Sequence, residues 1–247
     1  MAANRMSFSP LSPYREKRPT TNKIIFISCE GSVTEEEYFQ IISQLYQNIK
    51  SKVQLISVVE DIIAVPMRRR NTDQKRTLTK SKPDQLLDRI EIFKQQKDSI
   101  YDFEKHPDDE FWIIADVDDH TEEYYIDKWN QTLRSCQEKH YHYAVSNPFF
   151  ELWLLLHHTD VDDTDYGYAV TEEHQYEKTD HFRKRLENAG AQLKKKSIIP
   201  TDYSKGKIQL AIQRAEKLHN KSEDWPRSLG TTVYLLLNSI EELDSQC

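Results

Sequence analysis

With 247 residues, 37% of them hydrophobic and 11% aromatic, the chain can bury enough apolar surface for one large domain or a domain with a helical appendage, which excludes disorder beyond its ends. A net charge of −7 at pH 7 excludes a protein coated in basic surface for indiscriminate nucleic-acid binding, and no apolar run reaches the roughly 20 residues that cross a bilayer. The three cysteines are widely spaced and form no CxxC pair, which excludes a disulfide framework or a zinc knuckle.

Residues 1–22 read as a flexible, mildly basic arm without an apolar signal core, so a cytoplasmic protein with no membrane association is expected. Residues 24–29 are β-rich and are followed by Gly31, which predicts a strand and a tight turn, with Cys29 as a small buried side chain of that strand. Thr34 and Glu37 form a T-x-x-E capping box ahead of Tyr38, Ile41, Ile42, Leu45 and Ile49 at helical spacing. A second strand is predicted over 53–59. The segment "MRRRNTDQKRTLTKSK" that follows has no periodicity and reads as a mobile basic loop, with Arg68, Arg69, Arg70, Lys75, Arg76, Lys80 and Lys82 against Asp73. Helical spacing returns over 83–97 through Leu86, Leu87, Ile90 and Phe93.

The run "FWIIADV" over 111–117 is continuously apolar and ends in acids, as a strand covered on both faces should. A helix over 122–139 and a strand over 141–145 come next. "SNPFFELWLLLHH" (146–158) has a polar cap, a proline in the expected first turn and apolar residues nearly all round, the pattern of a buried helix. This alternation predicts an α/β core over 23–160 with an open, mainly parallel sheet flanked by helices. Helical signals over 172–188, 208–220 and 232–243 predict a mainly helical region, 161–247, packed on that core. "TDVDDTDYGYAVTEEH" (159–174) reads as a solvated acidic connector, and Lys194, Lys195 and Lys196 form a second cationic cluster.

Two strands thus end in carboxylates: the first at "CEG", the third at "IADVDDH". Open α/β sheets bind ligands outside the carboxyl ends of their strands. If the two strands are neighbours, Glu30, Asp116 and Asp118 share one crevice, where they repel each other unless a cation neutralises them. Hard oxygen donors select Mg²⁺ or Mn²⁺, and such an ion orients a phosphodiester and activates water. The competing reading is structural, because carboxylates near helix N-termini gain dipole energy with no metal present.

In chain order, "ISCEGSVTEEEYF", "WIIADVDDH", "AVSNPFFELWLLLHH", "YSKGK" and "GTTVYLL" resemble the RloB-like (AbiL-type abortive infection) family from about residue 23 to the C-terminus. The E-G and D-x-D pieces are common to Toprim proteins, whereas SNPFFELW and YSKGK are more particular. The basic stretch after the second strand matches no family motif. The resemblance implies a Toprim-like domain and a metal-dependent phosphoryl-transfer site. Glu30 would serve as metal ligand or general base/acid, Asp116 and Asp118 would hold the ion, and Glu35 and Asp119 would help with a second one. It also implies an endonuclease acting on DNA or RNA as an effector of anti-phage defence, beside a partner ATPase of the SMC or ABC type. The chain has no Walker A sequence, so nucleotide hydrolysis would fall to that partner. The rival reading is a non-catalytic adaptor that binds the ATPase and relays an infection signal.

Other positions carry two readings each. Glu151, in an apolar helix, is a metal or supporting ligand, or a carboxylate satisfied by backbone N–H groups of the first turn. Lys205 and Lys207 neutralise the scissile phosphate or sit in a solvated loop. Arg68, Arg69, Arg70, Lys75 and Arg76 contact nucleic-acid phosphates, dock an acidic partner, or are solvated. His120 shuttles protons or belongs to a polar turn. His157 and His158 are adjacent and so unsuited to chelating zinc. Tyr124, Tyr125 and Trp129 share a helix face, which fits core packing better than base stacking. The oligomeric state stays open, a homo-oligomer included.

Overall fold

The computed structural model describes residues 23–31, 33–46, 53–55, 83–117, 123–170, 178–191, 193–194 and 197–245. The expected N-terminal arm, the basic loop with Arg68, Arg69, Arg70, Lys75 and Arg76, the acids Asp118 and Asp119, and His120 lie outside the described residues, as do Lys195 and Lys196.

Strand β1 (Ile25–Cys29) is followed by helix α1 (Thr34–Leu45) and strand β2 (Val53–Leu55). Next come α2 (Pro83–Lys97), β3 (Glu110–Asp116), α3 (Glu123–Glu138), β4 (His142–Asn147) and α4 (Phe150–Leu156). The chain continues through α5 (Asp163–Val170), α6 (Lys178–Asn188), the short strands β5 (Leu193–Lys194) and β6 (Ser197–Ile198), α7 (Lys205–Leu218), β7 (Gly230–Thr231) and α8 (Val233–Ser245). The main sheet has five strands in the order β2-β1-β3-β4-β7. Its first four are parallel, and β7 runs antiparallel to β4. This is the open, mostly parallel α/β architecture expected from the sequence and is consistent with a Toprim-like fold.

The unbroken apolar runs of β1 and β3 follow from burial on both sides. Side chains alternate across a strand, so Ile25, Ile27, Cys29, Trp112 and Ile114 join one core while Ile24, Phe26, Phe111, Ile113 and Ala115 join the other. The first core is closed by α1, α4, α6, α7 and α8, the second by α2 and α3. Trp129 is buried in the second core, as its helical spacing indicated. The C-terminal region also contributes strand structure, since β7 pairs with β4 and thereby extends the sheet.

Three local expectations are corrected. Helix α1 starts at Thr34 after Val33, with no side-chain cap. Glu37 instead accepts hydrogen bonds from Ser197 Oγ at 3.0 Å and from the Ile198 amide at 2.9 Å. Satisfying a hairpin amide remote in the chain wins over the local capping box. The helix expected over 146–158 begins only at Phe150, because Ser146 and Asn147 belong to β4 and pair with Thr231 and Gly230. Pro148 follows a cis Asn147–Pro148 bond ahead of the helix, and is not in its first turn. The acidic connector is not wholly solvated: it contains α5, and Asp165 is fully buried. Asp165 accepts from Arg185 Nε and Nη2 at 3.0 Å and meets His181 Nε2 at 2.7 Å. A buried carboxylate persists only when paired in this way.

Behind α1 lies a polar contact within an aromatic cluster. His157 Nδ1 is 2.9 Å from the Trp153 carbonyl, so Nδ1 carries the proton, and Nε2 accepts from the Tyr38 hydroxyl at 3.0 Å. Both rings are buried, and the Trp153 and Tyr203 rings pack edge-on around His157. Burial pushes the imidazole from its ordinary 6.5 down to about 3. The unfolded chain therefore takes up this proton first on acidification, and stability falls as pH drops from about 6.5 toward 3, by at most ~1.4 kcal/mol per pH unit. Urea titrations between pH 7 and 4 are expected to show a shallower acid loss for His157→Gln than for wild type; parallel losses would refute the neutral buried imidazole.

Candidate functional site

Parallel pairing of β1 with β3 brings two chain-remote acids to one sheet end. The register sets Cys29 opposite Ile114. One residue on, the Glu30 amide donates to the Ile114 carbonyl at 2.9 Å, and the Asp116 amide donates to Glu30 Oε2 at 3.0 Å. Glu30 therefore seats its carboxylate on the backbone of the last residue of β3. Because β1 lies between β2 and β3, the chain leaves β1 on one side and returns on the other. Glu30 and Asp116 thus stand at the topological switch point, where sheets of this kind place their ligands.

Glu35, in the first turn of α1, is 7% exposed and its Oε1 accepts from the Gly31 amide at 3.1 Å. A Cβ at position 31 would overlap the Glu35 carboxylate and displace it, so glycine lets that carboxylate lie against the backbone. Burial pushes the Glu35 carboxyl above its ordinary range, and the neighbouring Glu151 and Glu36 charges push it further, against the Glu35 and Gly31 amides that favour the anion. The Cys29 thiol registers the same concentration of charge. Burial raises it most, Glu35, Glu36 and Asp116 raise it further, and Arg89 opposes them.

Glu151 has a cationic partner that its sequence did not reveal. Its side chain is 12% exposed and pairs with Arg183 of α6, whose Nη2 and Nε lie 3.3 and 3.4 Å from Oε1. Two cations near the acids were missed in the sequence, Arg183 and Arg89. Arg89 had a legible signal: it falls on the helix face defined by Leu86, Ile90 and Phe93, where a charge needs a partner to be buried.

The first YSKGK lysine points elsewhere. Lys205 Nζ pairs with Asp244 of α8 at 3.1 Å and lies 4.2 Å from the centroid of the Tyr46 ring. Tyr46 follows α1 at the end opposite Glu35, about 16 Å along the axis at 1.5 Å per residue. The structure therefore does not bring Lys205 to the acids, because its cation is drawn to Asp244 and an aromatic face. Lys207 Nζ donates to the Asp202 carbonyl at 3.0 Å and meets His158 Nδ1 at 3.4 Å.

Among the described residues, no three His, Cys, Asp or Glu side chains are grouped so as to hold a metal ion. Glu30, Glu35 and Asp116 at the carboxyl ends of β1 and β3 offer carboxylate oxygens, donors that suit a hard divalent cation, beside the buried Cys29 thiol. Among the described residues, no helix is long and apolar enough to cross a membrane.

No curated protein matches the chain, and no solved structure matches it. The family model described as RloB-like protein matches residues 25–240, from the first residue of β1 well into α8. With that match covering most of its length, the chain belongs to the RloB-like family.

Proposed function

We propose that the protein is a Mg²⁺- or Mn²⁺-dependent Toprim-type endonuclease that hydrolyses phosphodiester bonds of DNA or RNA as an effector of anti-phage defence. The observation that carries this reading is the Glu30 carboxylate resting on the Asp116 amide at the switch point of the sheet. In it, Glu30 and Asp116, joined by Asp118, hold the ion, with Glu35 and Asp119 available to a second. When bound, the ion supplies neutralisation of the phosphodiester charge and a more acidic water. The chain's own contribution is orientation: the Asp116 amide fixes the Glu30 carboxylate, and the Gly31 amide fixes that of Glu35. Oε1 of Glu35 accepts from the Gly31 amide, so Oε2 is the oxygen of this carboxyl that would face a cation. The chain lacks a Walker A sequence, so an SMC- or ABC-type ATPase would supply nucleotide hydrolysis. A cytoplasmic site of action fits such a partner.

The rival reading is a non-catalytic adaptor that binds the ATPase and relays an infection signal. Calorimetric titration of Mn²⁺ separates the two. The nuclease reading expects heat with wild type and much less with Glu30→Ala, whereas no heat with either protein would assign the chain to the adaptor class.

Purified protein is expected to nick plasmid DNA or cleave structured RNA with Mn²⁺, and Asp116→Ala to lower the rate by about 10²–10³-fold, the loss typical of removing one electrostatic stabiliser of a charged transition state. Equal cleavage by both proteins would remove Asp116 from the mechanism.

Glu35 links function to stability. A carboxyl whose folded pKa is raised destabilises the fold as pH climbs from the ordinary carboxylate range, about 4.3, through the folded value. Glu35→Gln should therefore melt higher than wild type in metal-free buffer at pH 7.5, with the gap closing toward pH 4, and should gain less from added Mn²⁺. A lower melting temperature at pH 7.5 would contradict this account.

A further inference from the structure

Helix α2 places Arg89 where its sequence pattern expects a core residue, and the side chain is 2% exposed. Taking a guanidinium out of water costs several kcal/mol unless its donors find partners and its charge finds a counter-charge. Arg89 Nη1 donates to the Cys29 carbonyl at 2.9 Å. The negative charges of Glu30 and Glu36 hold the guanidinium charged against the effect of burial, which is the larger influence.

The carbonyl that Arg89 takes belongs to the Cys29–Glu30 peptide. The N–H of that same peptide donates to the Ile114 carbonyl at 2.9 Å. The unit that carries Glu30 is thus gripped at both ends: from α2 at its oxygen and from β3 at its nitrogen. The Asp116 amide then grips the carboxylate itself. Alongside, Ser28 Oγ lies 3.5 Å from the Leu86 carbonyl, tying the same helix to the same strand.

We infer that Arg89 is the positioning residue of this centre, fixing the Cys29–Glu30 peptide from the opposite face of the sheet so that the Glu30 carboxylate is held at Asp116 for a divalent cation. The inference rests on the reading of Glu30 and Asp116 as functional carboxylates. Arginine suits the role because its rigid planar guanidinium donates to the Cys29 carbonyl in a fixed geometry while its charge acts on Glu30, a combination that a lysine ammonium does not reproduce. Two other roles make different demands. A simple counter-charge repels the incoming cation, so removing it tightens metal binding. A purely structural strut changes stability and leaves metal affinity alone.

The test is calorimetric titration of Mn²⁺ into the full chain, comparing wild type, Arg89→Met, Arg89→Lys and Asp116→Asn, each with a melting curve. Partners that orient metal-ligating groups are typically worth 10–100-fold in affinity. Arg89→Met is expected to weaken Mn²⁺ binding by about that factor, and Arg89→Lys by at least about threefold. An unchanged or tighter Kd for Arg89→Met overturns the inference. If Arg89→Met does not fold, a Kd for Arg89→Lys equal to wild type overturns it. The control keeps the two readings apart. Weak binding by Asp116→Asn with normal binding by both Arg89 variants defeats the positioning role alone. No binding by wild type defeats the carboxylate centre and the positioning role with it.

Discussion

The central constraint is the parallel pairing of β1 with β3. Their register turns two residues 86 positions apart in the chain into hydrogen-bonded neighbours. The pairing is stable only because both strands are covered on both faces. The alternation of Ile25, Ile27 and Cys29 against Ile24 and Phe26 supplies that cover to each side. At roughly 1.5–3 kcal/mol for each fully buried large side chain, these contacts dominate the balance against chain entropy. A slip of one residue would exchange the two cores and carry Glu30 away from Asp116. The hydrophobic pattern therefore specifies the position of the acids as well as the fold.

At the end of those strands the priorities reverse. Glu35 is nearly inaccessible yet acidic, with Glu151 and Glu36 adding to its burden. Gly31 is there so that the carboxylate can lie against the backbone. Arg183 and Arg89 offset part of the negative charge, each from a helix remote in sequence. A region that only had to be stable would more simply carry apolar residues. The concentration of ionisable groups at the switch point of an otherwise apolar sheet is an arrangement that natural proteins keep where chemistry or binding requires it.

Much of this was legible in the sequence because it depends on local pattern. The runs ending at Cys29 and Asp116 gave two strands with acids at their ends, and Leu86, Leu87, Ile90 and Phe93 gave α2 with its buried face. The failures share one cause. Glu37 looked like a capping residue because Ser197, which it binds, is 160 positions away. Ser146 and Asn147 looked like a helix cap because their strand partners arrive only with Thr231 and Gly230. Asp165 looked solvated because His181 and Arg185 lie 16 and 20 positions further along the chain. Polar residues declare their partners poorly in one dimension, since a carboxylate reads alike whether it faces water, an amide or an arginine. Arg89 was the exception: a charge at a core position of a helix announces that something must compensate it.

Strand β7 and helix α8 add a consequence for synthesis. The outer edge of β4 acquires its partner only from Gly230 and Thr231, and α8 closes the core that α1 and α4 share with the sheet. A nascent polypeptide therefore holds β4 with an open edge while more than 80 residues are still being translated, the interval during which strand edges recruit unwanted neighbours. The same delay means that the carboxylate pair gains its finished framework only after residues 230–245 leave the ribosome. Incomplete chains would then lack the settled arrangement that holds Glu30 against Asp116.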